Sequence, residues 1–70
     1  MLSEKSQQIR RAIFSCLCDF QGSTRKEIRD YVRGYYYCPS GITAKEINAQ
    51  IEWLVSCCVV GCKDYKFFIE

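Results

Sequence analysis

The sequence predicts an α+β domain that is mostly helical, with three helices followed by a C-terminal β-hairpin. A short phrase occurs twice, as Thr-Arg-Lys-Glu-Ile at residues 24–28 and Thr-Ala-Lys-Glu-Ile at residues 43–47. In each, a hydroxyl residue is followed three positions later by Glu, which is the pattern of a capping box at a helix N-terminus. From residue 57 onward the apolar period changes to two, which is typical of strands. The 70 residues suit one domain, 1–70.

Helix 1 is predicted over residues 4–19. Apolar residues recur there at three- and four-residue spacings, so they are expected to share one buried face. That face comprises Ile9, Ala12, Ile13, Cys16, Leu17 and Phe20. Gly22 adopts backbone conformations that other residues resist, and we expect the segment 21–23 to end the helix.

Helix 2 is predicted from Thr24 to about Arg33, with Gly34 as its stop signal. Its expected buried residues are Ile28, Tyr31 and Val32. Residues 35–41 include a proline and a glycine and are not expected to be helical throughout.

Helix 3 is predicted from Thr43 to about Ser56, and residues 57–69 are predicted to form the hairpin around a loop at 61–64. The buried stripe of helix 3 is Ile47, Ile51, Leu54 and Val55. In the hairpin, the expected inward side chains are Tyr65, Phe67 and Ile69, and the expected outward ones are Lys66 and Phe68.

Catalysis, a metal and a cofactor are not expected. The chain has six cysteines and no histidine, and no cysteine pair has the C-x₂-C spacing of a zinc ribbon. Most cysteines are therefore interpreted as small buried hydrophobes, with Cys38 as the exposed exception. No glycine-rich phosphate loop and no nucleophile with a recognisable base occur, so an enzyme is not predicted.

The sequence has no signal peptide pattern and no apolar stretch of about 18 residues that would span a bilayer. Cytoplasmic residence without membrane association is the expectation.

The chain resembles the winged-helix family over about residues 5–69. The resemblance rests on the apolar stripe of residues 9–20, on the helix entry at 22–28, and on the pattern Ile47-x₃-Ile51-x₂-Leu54-Val55 leading into the hairpin. It is similar to small bacterial or phage winged-helix transcription regulators, in which helix 3 enters the major groove and the wing reaches the flanking backbone. The resemblance implies a protein that binds double-stranded DNA. The connection between helices 2 and 3 is longer and more aromatic than in that family, and the wing carries few cations.

Positive charge is concentrated in the first two helices, although the net charge is only +2. Lys and Arg neutralise phosphates, and Asn can pair with an adenine edge. The candidate DNA-binding residues are Arg25, Lys26, Arg29, Arg33, Lys45, Asn48, Lys63 and Lys66. We expect Arg25, Arg29 and Asn48 to be exposed. A homodimer is expected because one small domain offers few contacts. The alternative interpretation of the basic stripe is an ordinary solvated face.

A second function class is a protein-interaction module, such as a phage or mobile-element inhibitor of a host complex. Tyrosine is favoured at recognition surfaces, and three in succession cannot all face a core. The candidate partner-binding residues are Tyr35, Tyr36, Tyr37 and Trp53. The alternative is that Tyr35 and Tyr37 cover the core and that Trp53 lies at its edge.

Overall fold

Three helices and a β-hairpin follow one another along the chain in the predicted order. A computed structural model describes residues 4–35 and 41–70. The elements are α1 (Glu4–Asp19), α2 (Arg25–Tyr35), α3 (Ala44–Ser56), β1 (Val60–Lys63) and β2 (Lys66–Ile69). The two strands pair antiparallel. The predicted α+β class is therefore confirmed, and the layout is that of a winged helix. Within the described ranges, no helix is both long and apolar enough to cross a membrane.

The two repeated phrases form the capping boxes that the sequence predicts. At α3, the Thr43 side chain accepts a hydrogen bond from the Glu46 backbone N–H at 3.2 Å, and the Thr43 N–H donates to the Glu46 carboxylate at 3.0 Å. At α2, the Thr24 N–H donates to Glu27 at 2.9 Å and the Glu27 N–H donates to Thr24 at 3.3 Å. Each box satisfies backbone donors that a helix start leaves without partners.

Replacing Thr24 or Thr43 by Ala is expected to lower the free energy of unfolding by about 0.5–2 kcal/mol, because the first helical turn loses an acceptor. Urea unfolding followed by circular dichroism measures this loss, and Thr24→Ser and Thr43→Ser, which keep the hydroxyl, serve as controls. Equal midpoints for the Ala variants and the parent would contradict it.

The caps also give the stability a pH dependence of known sign. The backbone N–H of Thr24 lowers the pKa of Glu27, and that of Thr43 lowers the pKa of Glu46. A carboxyl group whose pKa is lower in the folded state stabilises the fold above its ordinary pKa, and this stabilisation is lost as the pH falls through the folded-state value.

The core lies where the three helices meet the hairpin. Its buried side chains are Ile9, Ala12, Ile13, Cys16, Leu17, Ile28, Val32, Ile47, Ile51, Leu54, Val60 and Phe67. Tyr31, Val55 and Ile69 pack against it while partly exposed. The helical stripes predicted from three- and four-residue spacings therefore supply most of the core.

Two expectations at helix ends are wrong. Phe20 was assigned to the buried stripe of helix 1 but is 60% exposed, because α1 ends at Asp19 and the chain turns through Gly22, whose φ is +80°. Gly34 does not stop helix 2, which continues to Tyr35. A Cβ at Gly34 would meet no atom of the described residues within 4 Å, so none of these residues requires a glycine there.

The hairpin turn lies later than predicted. Gly61 belongs to β1, and the turn consists of Asp64 and Tyr65, with φ angles of 54° and 64°. Positive φ at both central residues is the signature of a two-residue type I′ turn. Gly61 serves close packing instead, since a Cβ there would lie 2.5 Å from the Phe68 ring.

The shift of the turn also changes which hairpin residues face inward. Phe67 is buried and Ile69 packs on the core, as predicted, but Tyr65 is 88% exposed because it is the second turn residue. Lys66 is exposed, as predicted, and Phe68 is half-buried over Gly61.

A short bridge joins the hairpin to the helical part of the fold. The Gly22 N–H donates to the Phe67 carbonyl at 2.8 Å, and the Phe67 N–H donates to the Ser23 carbonyl at 2.8 Å. Ser23 thus pairs with Phe67 as in a short antiparallel strand. The segment that connects α1 to α2 therefore fixes the position of β2.

The interpretation of most cysteines as buried is wrong. Among the described residues only Cys16 is buried, whereas Cys18, Cys57, Cys58 and Cys62 are exposed free thiols. Cys57 and Cys58 lie between the end of α3 and the start of β1 at Val60, so the strand alternation does not reach them. Cys38 lies outside the described residues.

Candidate nucleic-acid interface

A groove of about 580 Å³ lies between the N-terminal half of α2 and the hairpin. Two sides of the groove come from elements distant in sequence, which the bridge at Ser23 brings together. Its lining residues are Thr24, Arg25, Lys26, Arg29, Cys62, Tyr65 and Phe67. Three of these are cations and two are aromatic, the combination expected where a protein contacts a nucleic-acid backbone.

The helical spacing of α2 places its cations together. Lys26 and Arg29 are three residues apart and Arg25 and Arg29 four apart, so all three lie toward one side. Lys26 is exposed, whereas Arg25 and Arg29 are half-buried, which corrects the expectation of full exposure.

Arg25 is held in place by two neighbours. Its guanidinium forms an ion pair with Glu52 of α3 and lies over the Phe67 ring at 5.1 Å from the centroid. Arg25 therefore links α2, α3 and β2, and part of its charge is already compensated.

Arg29 retains an unused donor. Its Nε atom is buried and has no hydrogen-bond partner among the described residues. A buried donor without an acceptor costs free energy. Arg29 also lines the groove, where a guanidinium is suited to bind an oxyanion.

Tyr65 projects from the hairpin turn beside these cations. It is 88% exposed and has a φ of 64°, a conformation that costs a non-glycine residue about 1–2 kcal/mol. Little of its side chain is buried to offset that cost. A strained, exposed aromatic residue on the wall of a basic groove is a candidate contact residue.

The other predicted DNA-binding residues lie outside the groove lining. Lys63 and Lys66 are exposed on either side of the turn, where they are paired across the hairpin. Arg33 is exposed in the last turn of α2, and Lys45 is exposed in the first turn of α3. The structure therefore brings Arg25, Lys26 and Arg29 together in one groove and leaves Arg33 and Lys45 apart from it.

Helix α3 presents fewer polar groups to a ligand than its sequence suggests. Asn48 is half-buried, and its Oδ1 atom is buried without a hydrogen-bond partner among the described residues, which corrects its expected exposure. Glu46 pairs with Lys5 at 3.0 Å, and Gln50 accepts a hydrogen bond from Arg10 at 2.6 Å. Contacts with α1 thus occupy two polar side chains of α3.

Two of the four predicted aromatic contact residues, Tyr35 and Trp53, lie in the described part of the chain. Tyr35 is 57% exposed and stacks on Tyr31, with ring centroids 5.8 Å apart. Trp53 is 43% exposed, and the Arg10 guanidinium covers its ring at 3.5 Å from the centroid. Tyr35 thus contacts a residue of its own helix, whereas Trp53 contacts α1. Tyr36 and Tyr37 lie outside the described residues.

The buried thiol of Cys16 is poorly suited to nucleophilic chemistry. Burial raises the pKa of Cys16, so the thiol stays protonated at neutral pH. Over residues 4–35 and 41–70, no three His, Cys, Asp or Glu side chains are grouped so that they could hold a metal ion.

Comparisons of the chain with protein-family models, with curated proteins and with solved structures give no match.

Four lining residues of the groove were not among the predicted site residues: Thr24, Cys62, Tyr65 and Phe67. Because glycine is common in turns, the loop was predicted at residues 61–64. In that register, Tyr65 was predicted to face inward. The signal for the true turn was Asp64, which tolerates positive φ, between Lys63 and Lys66.

Proposed function

We propose that this protein is a non-enzymatic, cytoplasmic winged-helix regulator of transcription that binds double-stranded DNA through the groove between α2 and the hairpin. The observation that supports the proposal is the presence of three cations and the exposed, strained Tyr65 on the walls of one groove. The groove suits the sugar-phosphate backbone, because phosphate neutralisation supplies most of the affinity of such contacts.

Each lining residue has a role in this proposal. Lys26 is exposed, so a phosphate reaches it from solvent. Arg29 offers its guanidinium to a phosphate oxygen, and Tyr65 packs against a sugar or base. Lys63 and Lys66 add positive charge beside the turn.

Base readout is a smaller part of the proposal. Lys45 is exposed on α3, but Asn48 has its Oδ1 buried. One protomer therefore makes mainly backbone contacts, which position a protein without specifying sequence. A homodimer on two half-sites would double those contacts, and we include it in the proposal.

Titration of a labelled random-sequence duplex at two salt concentrations tests this function. We expect binding at low salt that weakens steeply as salt rises, because bound phosphates release counterions. Lys26→Gln should lower the magnitude of the logarithmic salt slope by about 0.9, the value for one phosphate contact. The matched control is Arg11→Gln, which removes an exposed cation of α1 outside the groove lining. No binding at low salt, or equal effects of both variants, would contradict the proposal.

The second candidate function is a protein-interaction module, such as a phage or mobile-element inhibitor of a host complex. Its specific support is the exposure of Tyr35 and Trp53. Absence of DNA binding in the titration would favour this candidate.

A further inference from the structure

A second groove lies on another side of α2 and has the opposite charge. It encloses about 370 Å³ where the end of α1 meets α2. Its lining residues are Cys16, Phe20, Ser23, Glu27, Asp30 and Tyr31. This lining includes two acids and no Lys or Arg.

Aromatic rings form a row along this groove. Phe20 meets Tyr31 edge to face, with ring centroids 6.2 Å apart and an interplanar angle of 69°. Tyr31 stacks on Tyr35 at 5.8 Å and 17°. Phe20 and Tyr35 are each more than half exposed. Contiguous exposed rings of this kind are typical of interaction sites.

Hydrogen bonds hold the central ring of the row in place. The Tyr31 hydroxyl bonds with the Ser15 hydroxyl at 2.9 Å and donates to Asp19 at 3.3 Å. A ring fixed before binding loses little side-chain entropy when a ligand packs on it.

Both acids of the groove, Glu27 and Asp30, are exposed to solvent. Hydrogen bonding to Thr24 lowers the pKa of Glu27, and Asp30 is exposed. Glu27 and Asp30 are three residues apart and so share a side of α2 that lines this groove, while Lys26, four residues before Asp30, lines the other groove. The aromatic row therefore lies beside negative charge.

We propose that this groove binds a segment of a partner protein that carries apolar side chains and an Arg or Lys. An apolar side chain of the segment packs on Phe20 and Tyr31, and the cation lies over a ring with Asp30 as its counter-charge. A cation is attracted to the face of an aromatic ring, and a neighbouring carboxylate adds to the attraction. A second copy related by a two-fold axis fits less well, since it would present the same patch, whose lining has no Lys or Arg to pair with Asp30.

The inference does not depend on DNA binding, and a peptide titration tests it. The probe is a short fluorescent peptide of alternating leucine and arginine, compared with its leucine–glutamate counterpart by fluorescence polarisation. We expect saturable binding of the arginine peptide with one site per chain and no binding of the glutamate peptide. Phe20→Ala and Asp30→Asn should each raise Kd by about threefold or more.

The control variant is Glu4→Gln, which removes an exposed acid outside this groove and should leave Kd unchanged. Phe20 and Asp30 are exposed, so both test variants are expected to fold, and circular dichroism checks this. An unchanged Kd for Asp30→Asn, or equal losses for Asp30→Asn and Glu4→Gln, would overturn the proposal. A dimer in sedimentation velocity that Phe20→Ala dissociates would assign the groove to a second copy and overturn it as well.

Discussion

Replacing Phe67 by Ala is expected to lower the free energy of unfolding by about 3–5 kcal/mol, the usual cost of truncating a buried Phe. Phe67 is 2% exposed and packs in the core, and its backbone makes both hydrogen bonds of the bridge between the hairpin and the helices. A domain of this size has a total stability of only about 4–10 kcal/mol. The Phe67→Ala variant is therefore expected to lose a large part of its free energy of unfolding.

Urea unfolding measured by circular dichroism and by the fluorescence of Trp53 tests this expectation. The matched control is Phe68→Ala, which truncates the neighbouring, half-buried ring and should cost about 1 kcal/mol. If Phe67→Ala and Phe68→Ala lose the same stability, the hairpin does not pack on the core as described.

Replacing Tyr65 by Gly is expected to change stability and DNA binding in opposite directions. The variant should be more stable by about 1 kcal/mol, because glycine adopts positive φ without the cost that a tyrosine carries. Its Kd for DNA should rise by roughly fivefold or more. This is the effect expected when removal of an interfacial Tyr costs more than about 1 kcal/mol of binding free energy. Few protein contacts are lost, since the side chain is 88% exposed.

Thermal unfolding and the duplex titration on the same preparation measure the two effects. Gly34→Ala is the control, because it should also stabilise the domain, by about 0.5–1 kcal/mol, without lining the groove. Its DNA binding should equal that of the parent. If Tyr65→Gly binds DNA as the parent does, Tyr65 is not a contact residue, and the groove loses its aromatic wall.

The helices were predictable because their signals are local. Thr24 and Thr43 cap helices through residues three positions away, and the buried stripes repeat at helical spacing. The errors arose where tertiary contacts decide. Glycine is a common turn residue, but Gly61 lies in β1, where the Phe68 ring covers it. Phe20 continues the periodic stripe of helix 1 in sequence after the helix itself has ended.

The candidate site was predictable only in part for the same reason. Helical spacing alone predicts that Arg25, Lys26 and Arg29 lie on one side of a helix. The groove also needs the hairpin beside them, and its position depends on the long-range bridge between Ser23 and Phe67. The loss of Asn48 from the exposed surface likewise follows from packing, which no local pattern of helix 3 indicates.

Helix α2 forms a wall of both grooves, with its cations toward one and its acids toward the other. A ligand in either groove that favours one position of this helix thereby changes the free energy of occupying the other groove. If both proposed ligands bind, such coupling is reciprocal, so the factor by which a basic peptide alters the affinity for DNA equals the factor by which DNA alters the affinity for the peptide. Under the two proposals, the short helix α2 would thus be the element through which one ligand affects the binding of the other.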